Sequence, residues 1–445
     1  MGGACQRGQA LVPGMLLAGL AALMVLRYFH VDQTLGAQVQ QTHALDAATY
    51  SAALVNARAF NAMAYINRAQ VAHQVAMAHL VTLGSWALFG GAQAQQLMAA
   101  NPPVHLVGMF FGPEHGAAYA AAARASGLAS LAQSNGALAQ TYHAHQATVH
   151  TVLSKTQSAI AQSLEAATQA TLRHVLVQNY PGEKPEDLDI SIDQTTLPGY
   201  LARQPGQGAF RSFVLDTAGL YRFLDPRNHT ATNAWPVQAR CPGLRHELRR
   251  RGATKLSASG VWESIDTQSF HALRSNRWIG CYYREYAMGW GWIPTRQVQV
   301  FDGPHTTDPP DDFSAQDFWR WVKESGDWDI ARGHDNPLAN SRAVAGRPNW
   351  RAGGLPNYLD VAPGVNNAPV RLAVTLRRPG RNGLIITSRS AADTFYARPV
   401  LRADHRHEHA NLFRPYWQAR LAAHPLQRLP FRLTGQGPTG EGLPW

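Results

Sequence analysis

Charge is what this 445-residue sequence has least of: Asp, Glu, Lys and Arg together make up only 16% of it, against about a quarter in ordinary soluble domains. Alanine, glutamine, serine, threonine and histidine fill the gap, mostly in the N-terminal part. Such a segment suits close helix packing better than a free solvated surface. Cysteine is nearly absent as well. The three present, Cys5, Cys241 and Cys281, match no zinc, iron–sulfur or thioredoxin spacing. Cys5 precedes the main apolar run and so cannot be a lipoprotein cysteine, which follows one. Proline is missing between Pro13 and Pro102, which removes the strongest helix breaker from that stretch. The linear signatures of phosphate-cradling loops, dinucleotide folds, zinc proteases, serine hydrolases and EF-hands are missing too. No catalytic residue, metal ligand or cofactor is therefore assigned, and the expectation is that the protein is not an enzyme.

Acidic residues are outnumbered, 29 against 40 Lys and Arg, for a net charge of +11. A basic balance can serve nucleic acid, anionic lipid or an acidic envelope polymer. Here the arginines are scattered over the C-terminal half, with one tight cluster at Arg245, Arg249, Arg250 and Arg251. Zinc-finger spacing, an aromatic RNA-binding signature and a basic heptad arm are all lacking. The expectation is a basic surface and no nucleic-acid partner.

Only one long apolar run is present. Ala10 to Leu26 carries no charge over 17 residues, the short end of a membrane span. Tyr28 and Phe29 follow at the place of an interfacial aromatic belt. No A-x-A site ends the run, as a secretory signal would require; helical sequence simply continues. The spacing predicts a first helix to about residue 100, with a break near Gly84, Gly90 and Gly91. Its 3-4 spaced row includes Leu45, Ala48, Ala52, Ala59, Ala62, Ile66, Ala69 and His73. A loop is expected over 104–116 and a second helix over about 117–178, with the row Leu138, Tyr142, His145, Val149, Val152, Ile160, Leu164 and Ala167. Two helices with facing seams imply an antiparallel hairpin.

From about residue 183 prolines, glycines, tryptophans and arginines increase and the apolar runs shorten to strand length. Candidate strands are Arg211–Leu215, Gly219–Leu224, Trp278–Tyr283, Gln297–Val300, Arg371–Leu376 and Gly383–Thr387, the last two forming a hairpin. Asp312–Lys323 reads as a short helix. The expected fold class is α+β: an N-terminal transmembrane helix continuing into a long Ala-rich helical hairpin, then a β-rich α+β domain. The corresponding division is a leader at 1–9, a membrane helix at 10–29, the hairpin at 30–182 and the β-rich domain at 183–445.

Arg7-Gly8-Gln9-Ala10-Leu11-Val12 leads straight into the apolar run. This start resembles the prepilin-type leader of TadE/TadG-like proteins of the tight-adherence (Flp) pilus. Residues 42–77 are similar to the stretch that follows the anchor in that family, including Asp46-Ala47-Ala48 and Asn67-Arg68. Further similarity lies in Asp266 to Trp292, in Ala391-Ala392-Asp393-Thr394-Phe395 and in residues 411–421. The resemblance implies an inner-membrane, single-pass protein whose bulk is periplasmic, and whose partners are other pilus-assembly or envelope proteins. It also implies a prepilin-type peptidase cutting between Gly8 and Gln9. One position departs from the pilin pattern: Pro13 stands where pilins carry a Glu five residues after the cut, a carboxylate that pairs within hydrocarbon. Two other readings remain: a single-pass periplasmic ligand-binding or sensor protein, and an anchored envelope hydrolase.

Periplasmic placement makes Cys241 and Cys281 a natural disulfide, since thiols there are oxidised and no third cysteine lies beyond the leader. His405, His407 and His409 alternate as strand-borne metal ligands would, but with Asp404 and Glu408 they sit in a charged, turn-like stretch and read as a solvated loop. Gly333-His334-Asp335 reads as a turn. Trp278, Tyr282, Tyr283, Tyr286, Trp290 and Trp292 read as sheet core rather than an exposed contact. Histidines 43, 73, 79, 143, 145 and 150 read as members of a polar helix seam. The leader yields the first test. N-terminal sequencing of the mature protein should begin at Gln9; a product that keeps Met1, or one cut after Leu26, contradicts the prepilin assignment.

Overall fold

The computed structural model describes residues 11–184, 187–277, 280–293, 336–351, 353–365, 367–380, 385–400, 402–404 and 408–425. The helices are α1 (Leu11–Met98), α2 (Val104–Phe111), α3 (Pro113–Ala120), α4 (Ala137–Ala147), α5 (Ser154–Gln178), α6 (Ala209–Ala218) and α7 (Pro337–Ala345). The strands are β1 (Asp189–Thr195), β2 (Leu201–Gln204), β3 (His229–Thr232), β4 (Glu247–Leu256), β5 (Trp262–Asn276), β6 (Gly280–Ile293), β7 (Tyr358–Val361), β8 (Val370–Pro379), β9 (Ile385–Tyr396) and β10 (Trp417–Ala422). The fold is α+β with a long N-terminal apolar helix, as the sequence implies. The leader residues Gly8 and Gln9, the helix expected at Asp312–Lys323, the strand expected at Gln297–Val300 and the Gly333-His334-Asp335 turn lie outside the described residues.

The start of α1 is long and apolar enough to cross a membrane, and none of that window is covered by the rest of the chain. Leu11, Leu16, Leu20 and Phe29 are all exposed. Burial begins at Gln41, so a span-length apolar segment runs directly into a helix that becomes core.

Two compact units follow. The first joins residues up to Tyr65 with 157–202 and the chain from Leu359 onward. Its sheet runs β1-β8-β9-β10, antiparallel throughout. Leu45, Ala48 and Ala52 of α1 pack with Leu172 and Leu176 of α5 and with Leu372, Val374 and Leu376 of β8. Leu45, Ala48 and Ala52 belong to the row expected on α1, whereas Leu172 and Leu176 lie beyond the row expected on the second helix, which ends at Ala167. Amide side chains complete the contact. Gln41 Nε2 donates to Leu376 O at 2.9 Å and Ile386 O at 3.1 Å. Asn61 Nδ2 donates to Trp417 O, and Trp417 N to Asn61 Oδ1, both at 3.0 Å. A carboxamide carries one donor and one acceptor in the spacing of a peptide group, so Asn61 serves β10 as a piece of neighbouring strand. Phe60, Tyr200 and Trp417 cluster beside it.

The second unit joins 66–156 with 203–358. Its sheet runs β3-β4-β5-β6. The sequence Gly289-Trp290-Gly291-Trp292-Ile293 alternates across β6, and each face has its own partner. Trp292 packs with Ile265, Ala343 and Val344, and Trp290 with Ala287, Leu338 and Ala339, so this face carries α7. The glycine face carries α1: a Cβ at Gly291 would meet Ser85 O at 2.2 Å and Phe89 N at 2.6 Å. The expectation that Trp290, Trp292, Tyr282, Tyr283 and Tyr286 are core holds at Trp292 and Tyr282, which are buried, while Trp290, Tyr283 and Tyr286 are half-buried. Trp278 lies outside the described residues. Glu285, itself buried, accepts from Leu338 N at 3.0 Å and Ala339 N at 3.2 Å. A carboxylate at a helix N-terminus complements its unsatisfied donors and dipole.

Several expectations need correcting. No break occurs at Gly84, Gly90 or Gly91; α1 is continuous there, and these glycines are points of close approach. A Cβ at Gly91 would meet that of Ala129 at 2.6 Å, and one at Gly84 would meet Ile293 Cγ1 at 2.8 Å. Arg211–Leu215 is helix, within α6, and Gly219–Leu224 is turn and 3-10 helix. Phe210, Val214 and Ala218 are the buried positions, a period of four that a five-residue window cannot show. Residues 104–116 hold α2 and α3 rather than a loop. The second helix is interrupted by 3-10 turns before α4 and by a π-helical turn over Thr148–Leu153. That turn inserts a residue into the helical period, which is why Val149 is buried and Val152 exposed. On α1 the row Ala59, Ala62, Ile66, Ala69 is half-buried, and Phe60, Met63, Ala64, Asn67 and Val71 go deepest. An Ala-rich helix accepts several registers, and the few large side chains decide among them.

The Gly291 contact is with backbone, which cannot swing aside. Gly291→Ala should lower stability by ~3 kcal/mol, the upper end of overpacking costs. Thermal denaturation of the detergent-solubilised protein measures this. An unchanged midpoint would place α1 farther from β6 than described.

Candidate functional site

The second unit holds a buried polar network between α1 and the sheet. It starts from a pairing in the β4–β5 ladder, where Gly252 lies opposite Asp266. A Cβ at Gly252 would sit 2.4 Å from Asp266 Oδ1, so glycine makes room for the carboxylate. Asp266 is fully buried. Arg227, just before β3, clamps it with Nε to Oδ1 at 2.8 Å and Nη2 to Oδ2 at 3.0 Å. Ser85 Oγ of α1 donates to Oδ2 at 2.7 Å. Around this pair Thr82, Thr254 and Ser264 join hydroxyl to hydroxyl at 2.7 to 2.9 Å, and Arg227 Nη1 also reaches Phe223 O at 3.0 Å. A buried ion pair is tolerated only when its remaining donors and lone pairs are satisfied in this way.

A second guanidinium stands beside the first. Arg250 Nη2 lies 3.5 Å from Asp266 Oδ1, its one hydrogen-bonding contact from the side chain among the described residues. The group lies over Phe89, 4.4 Å from the ring centroid, and 5.8 Å from that of Trp86. Burial holds its pKa below the usual arginine range; Asp266 pulls it back up and Arg227 pushes it further down. It remains a cation, with its charge incompletely compensated.

Arg227 and Arg250 line one side of a groove of about 660 Å³. Its other walls are apolar: Trp86, Phe89 and Leu83 from α1, and Leu128, Leu131 and Leu138 from the 3-10 segment and α4. Gly90 admits that segment, since a Cβ there would lie 2.9 Å from Ala125 Cβ. Leu83, Trp86, Leu128 and Leu131 are each 40% exposed or more. Four large apolar side chains around one opening are a concentration that ordinary surfaces avoid.

A second cavity of about 500 Å³ in the same unit is lined by Phe110, His246, Phe270, Arg274 and Tyr286. Burial, with Arg274 adding to it, lowers the His246 pKa to about 4. Its Nδ1 accepts from Leu273 N at 2.8 Å, so the neutral ring carries its proton on Nε2.

Cys241 and Cys281 form a disulfide, with Cα atoms 6.1 Å apart, joining a turn to the first residues of β6. His405 and His407 lie outside the described residues. His409 is exposed, while Asp404 pairs with Arg402 and Glu408 with Arg398 and Arg414. Among the described residues no group of three or more His, Cys, Asp and Glu is placed to hold a metal ion. Of the helical histidines, His73 and His145 meet Nδ1 to Nδ1 at 2.7 Å, a hydrogen bond between α1 and α4. Burial and then His145 lower the His73 pKa. His150 Nε2 lies 3.1 Å from Gly354 O, and His79 stacks on Phe223. Sequence reasoning noted the cluster around Arg250 but missed Arg227, Asp266 as its partner and the apolar walls. They come together from four separate stretches of chain, and no local pattern joins them.

No family model, no curated protein and no solved structure matches this chain.

The Arg227–Asp266 clamp yields a prediction. Asp266→Asn keeps the shape but leaves two buried guanidiniums with no counter-charge, so stability should fall by about 3–5 kcal/mol. Chemical denaturation of the variant measures it, and a loss under ~1 kcal/mol would mean that solvent already screens the pair.

Proposed function

We propose that this chain is a membrane-anchored envelope protein that acts by contact and assembly, held by the first part of α1. The observation that carries the reading is the uncovered apolar start of α1, which passes without interruption into a helix that forms the core of folded units. A disulfide between Cys241 and Cys281 supports an oxidising compartment for the bulk of the chain.

Within that class, the reading is a TadE/TadG-like component of tight-adherence pilus assembly, anchored in the bacterial inner membrane with other assembly proteins as partners. Support comes from the short Gly8-ending leader and from the order of the similar segments along the chain. Those segments hold partnered carboxylates: the half-buried Asp46 accepts from Ser390 Oγ at 2.5 Å, and Arg371 holds the buried Asp393 through two bonds at 2.7 and 2.8 Å. The groove favours a second reading, an anchored periplasmic ligand-binding protein.

Two measurements test the proposal. Reporter fusions after residue 100 should be active only outside the cytoplasm; cytoplasmic activity refutes the anchored orientation. Deleting the gene in the native host should abolish surface pili, with the protein recovered in a cross-linked complex with pilus-assembly components. Normal piliation without such a complex rejects the assembly role and leaves the ligand-binding reading.

A further inference from the structure

The groove over Arg227 and Arg250 has two properties that ordinary packing does not need. Its walls are apolar and partly open to solvent, and one side presents a cation whose charge is not fully matched among the described residues. Counting charges at that side, Arg227 and Arg250 contribute two positives and Asp266 one negative, leaving one positive. Arg227 is consumed by its two-bond clamp on Asp266 and by the surrounding hydroxyls. Arg250 is not: a guanidinium has five N–H donors, and this one has a single long contact to Asp266. Lying over Phe89, it is held in place by the ring face, as cations are, with donors left for an acceptor.

We propose that this groove binds one single-chain amphiphile with a monoanionic head, an acyl chain against Trp86, Leu128 and Leu131 and its head on the Arg250 guanidinium. Three observations select this ligand. A monoanion balances the residual charge, whereas a dianion would overshoot it. The apolar walls suit a hydrocarbon chain and give a polar ligand nothing to bond. At about 660 Å³ the groove falls within the ~300–1,000 Å³ range of small-molecule sites. A long-chain fatty acid and a lysophospholipid with one negative charge share the required chemistry.

The test is photo-crosslinking of the full-length protein, solubilised in non-ionic detergent, with a diazirine analogue of palmitate, followed by mapping of the labelled peptides. Labelling is expected within residues 83–90 and 128–138. The apolar start of α1 should also label, whatever the head group, and serves as the internal reference. Palmitate should suppress groove labelling, and hexadecanol, the same chain without the charge, should be weaker by at least roughly tenfold, as expected for losing a charge-assisted hydrogen bond. Lysophosphatidylglycerol is the third competitor. If it outcompetes palmitate, the ligand is of phospholipid origin; if palmitate wins, it is a free fatty acid; both outcomes support the proposal. Arg250→Gln should reduce groove labelling by a similar factor. Leu128→Glu, at an exposed rim position, should do the same by bringing a like charge to the anion, and keeps the test open should Arg250→Gln fail to fold. An unlabelled groove in folded protein overturns the proposal. So does hexadecanol competing as well as palmitate, or labelling that neither folded variant lowers.

Discussion

The packing of the second unit depends on how closely the backbone of α1 can be approached. Helices and sheets normally lie about 10 Å apart because side chains stand between them. Here a Cβ at Gly291 would meet Ser85 O and Phe89 N, so β6 and the backbone of α1 meet with no side chain between, and the missing Cβ atoms of Gly289 and Gly84 leave room for the Phe89 ring and for Ile293. The low charge and high alanine content of the N-terminal part follow from this. A long charged side chain on the buried faces of α1 would force the sheets away and strand the hydroxyl network around Ser85. Several polar residues that face inward there, Gln41, Asn56, Asn61, Thr82 and Ser85, are uncharged and find partners in strands, in α5 or in a neighbouring carboxylate.

Three carboxylates hold defined posts in the fold. Asp266 neutralises Arg227, Glu285 caps α7, and Asp393 is gripped by Arg371 with Arg420 beside it. None of these is a surface pair whose loss would go unnoticed. Among the described residues Arg250 has only one long contact to a carboxylate, and its position beside an apolar opening marks it out.

How much of this was legible in the sequence depended on the range of the interaction. The span-length apolar start of α1, the end of α1 before Pro102 and Pro103, the end of α5 before Pro181 and the β8–β9 hairpin are local signals, and they are where the structure has them. The disulfide was legible because only two cysteines lay beyond the leader. What could not be read was set by tertiary contact. Alanine is neutral among registers, so the deep face of α1 near its middle was decided by Phe60 and Met63 meeting Tyr200, Leu359 and Trp417 far along the chain. Gly84, Gly90 and Gly91 looked like breaks because a glycine in a helix costs about 1 kcal/mol, but here close packing offsets that cost. The groove was least legible, since Trp86, Leu128, Arg227 and Arg250 share no spacing and meet only after folding.

The bond pair between Asn61 and Trp417 has a bearing on solubility. β10 ends the first unit's sheet, and an edge strand offers unpaired N–H and C=O groups to any other strand that comes near. Asn61 already occupies that place at the start of β10, presenting one carboxamide where a fifth strand would begin to zip. A foreign strand would first have to evict it, and eviction would leave a half-buried amide without partners. A single side chain thus works as a guard against templated aggregation.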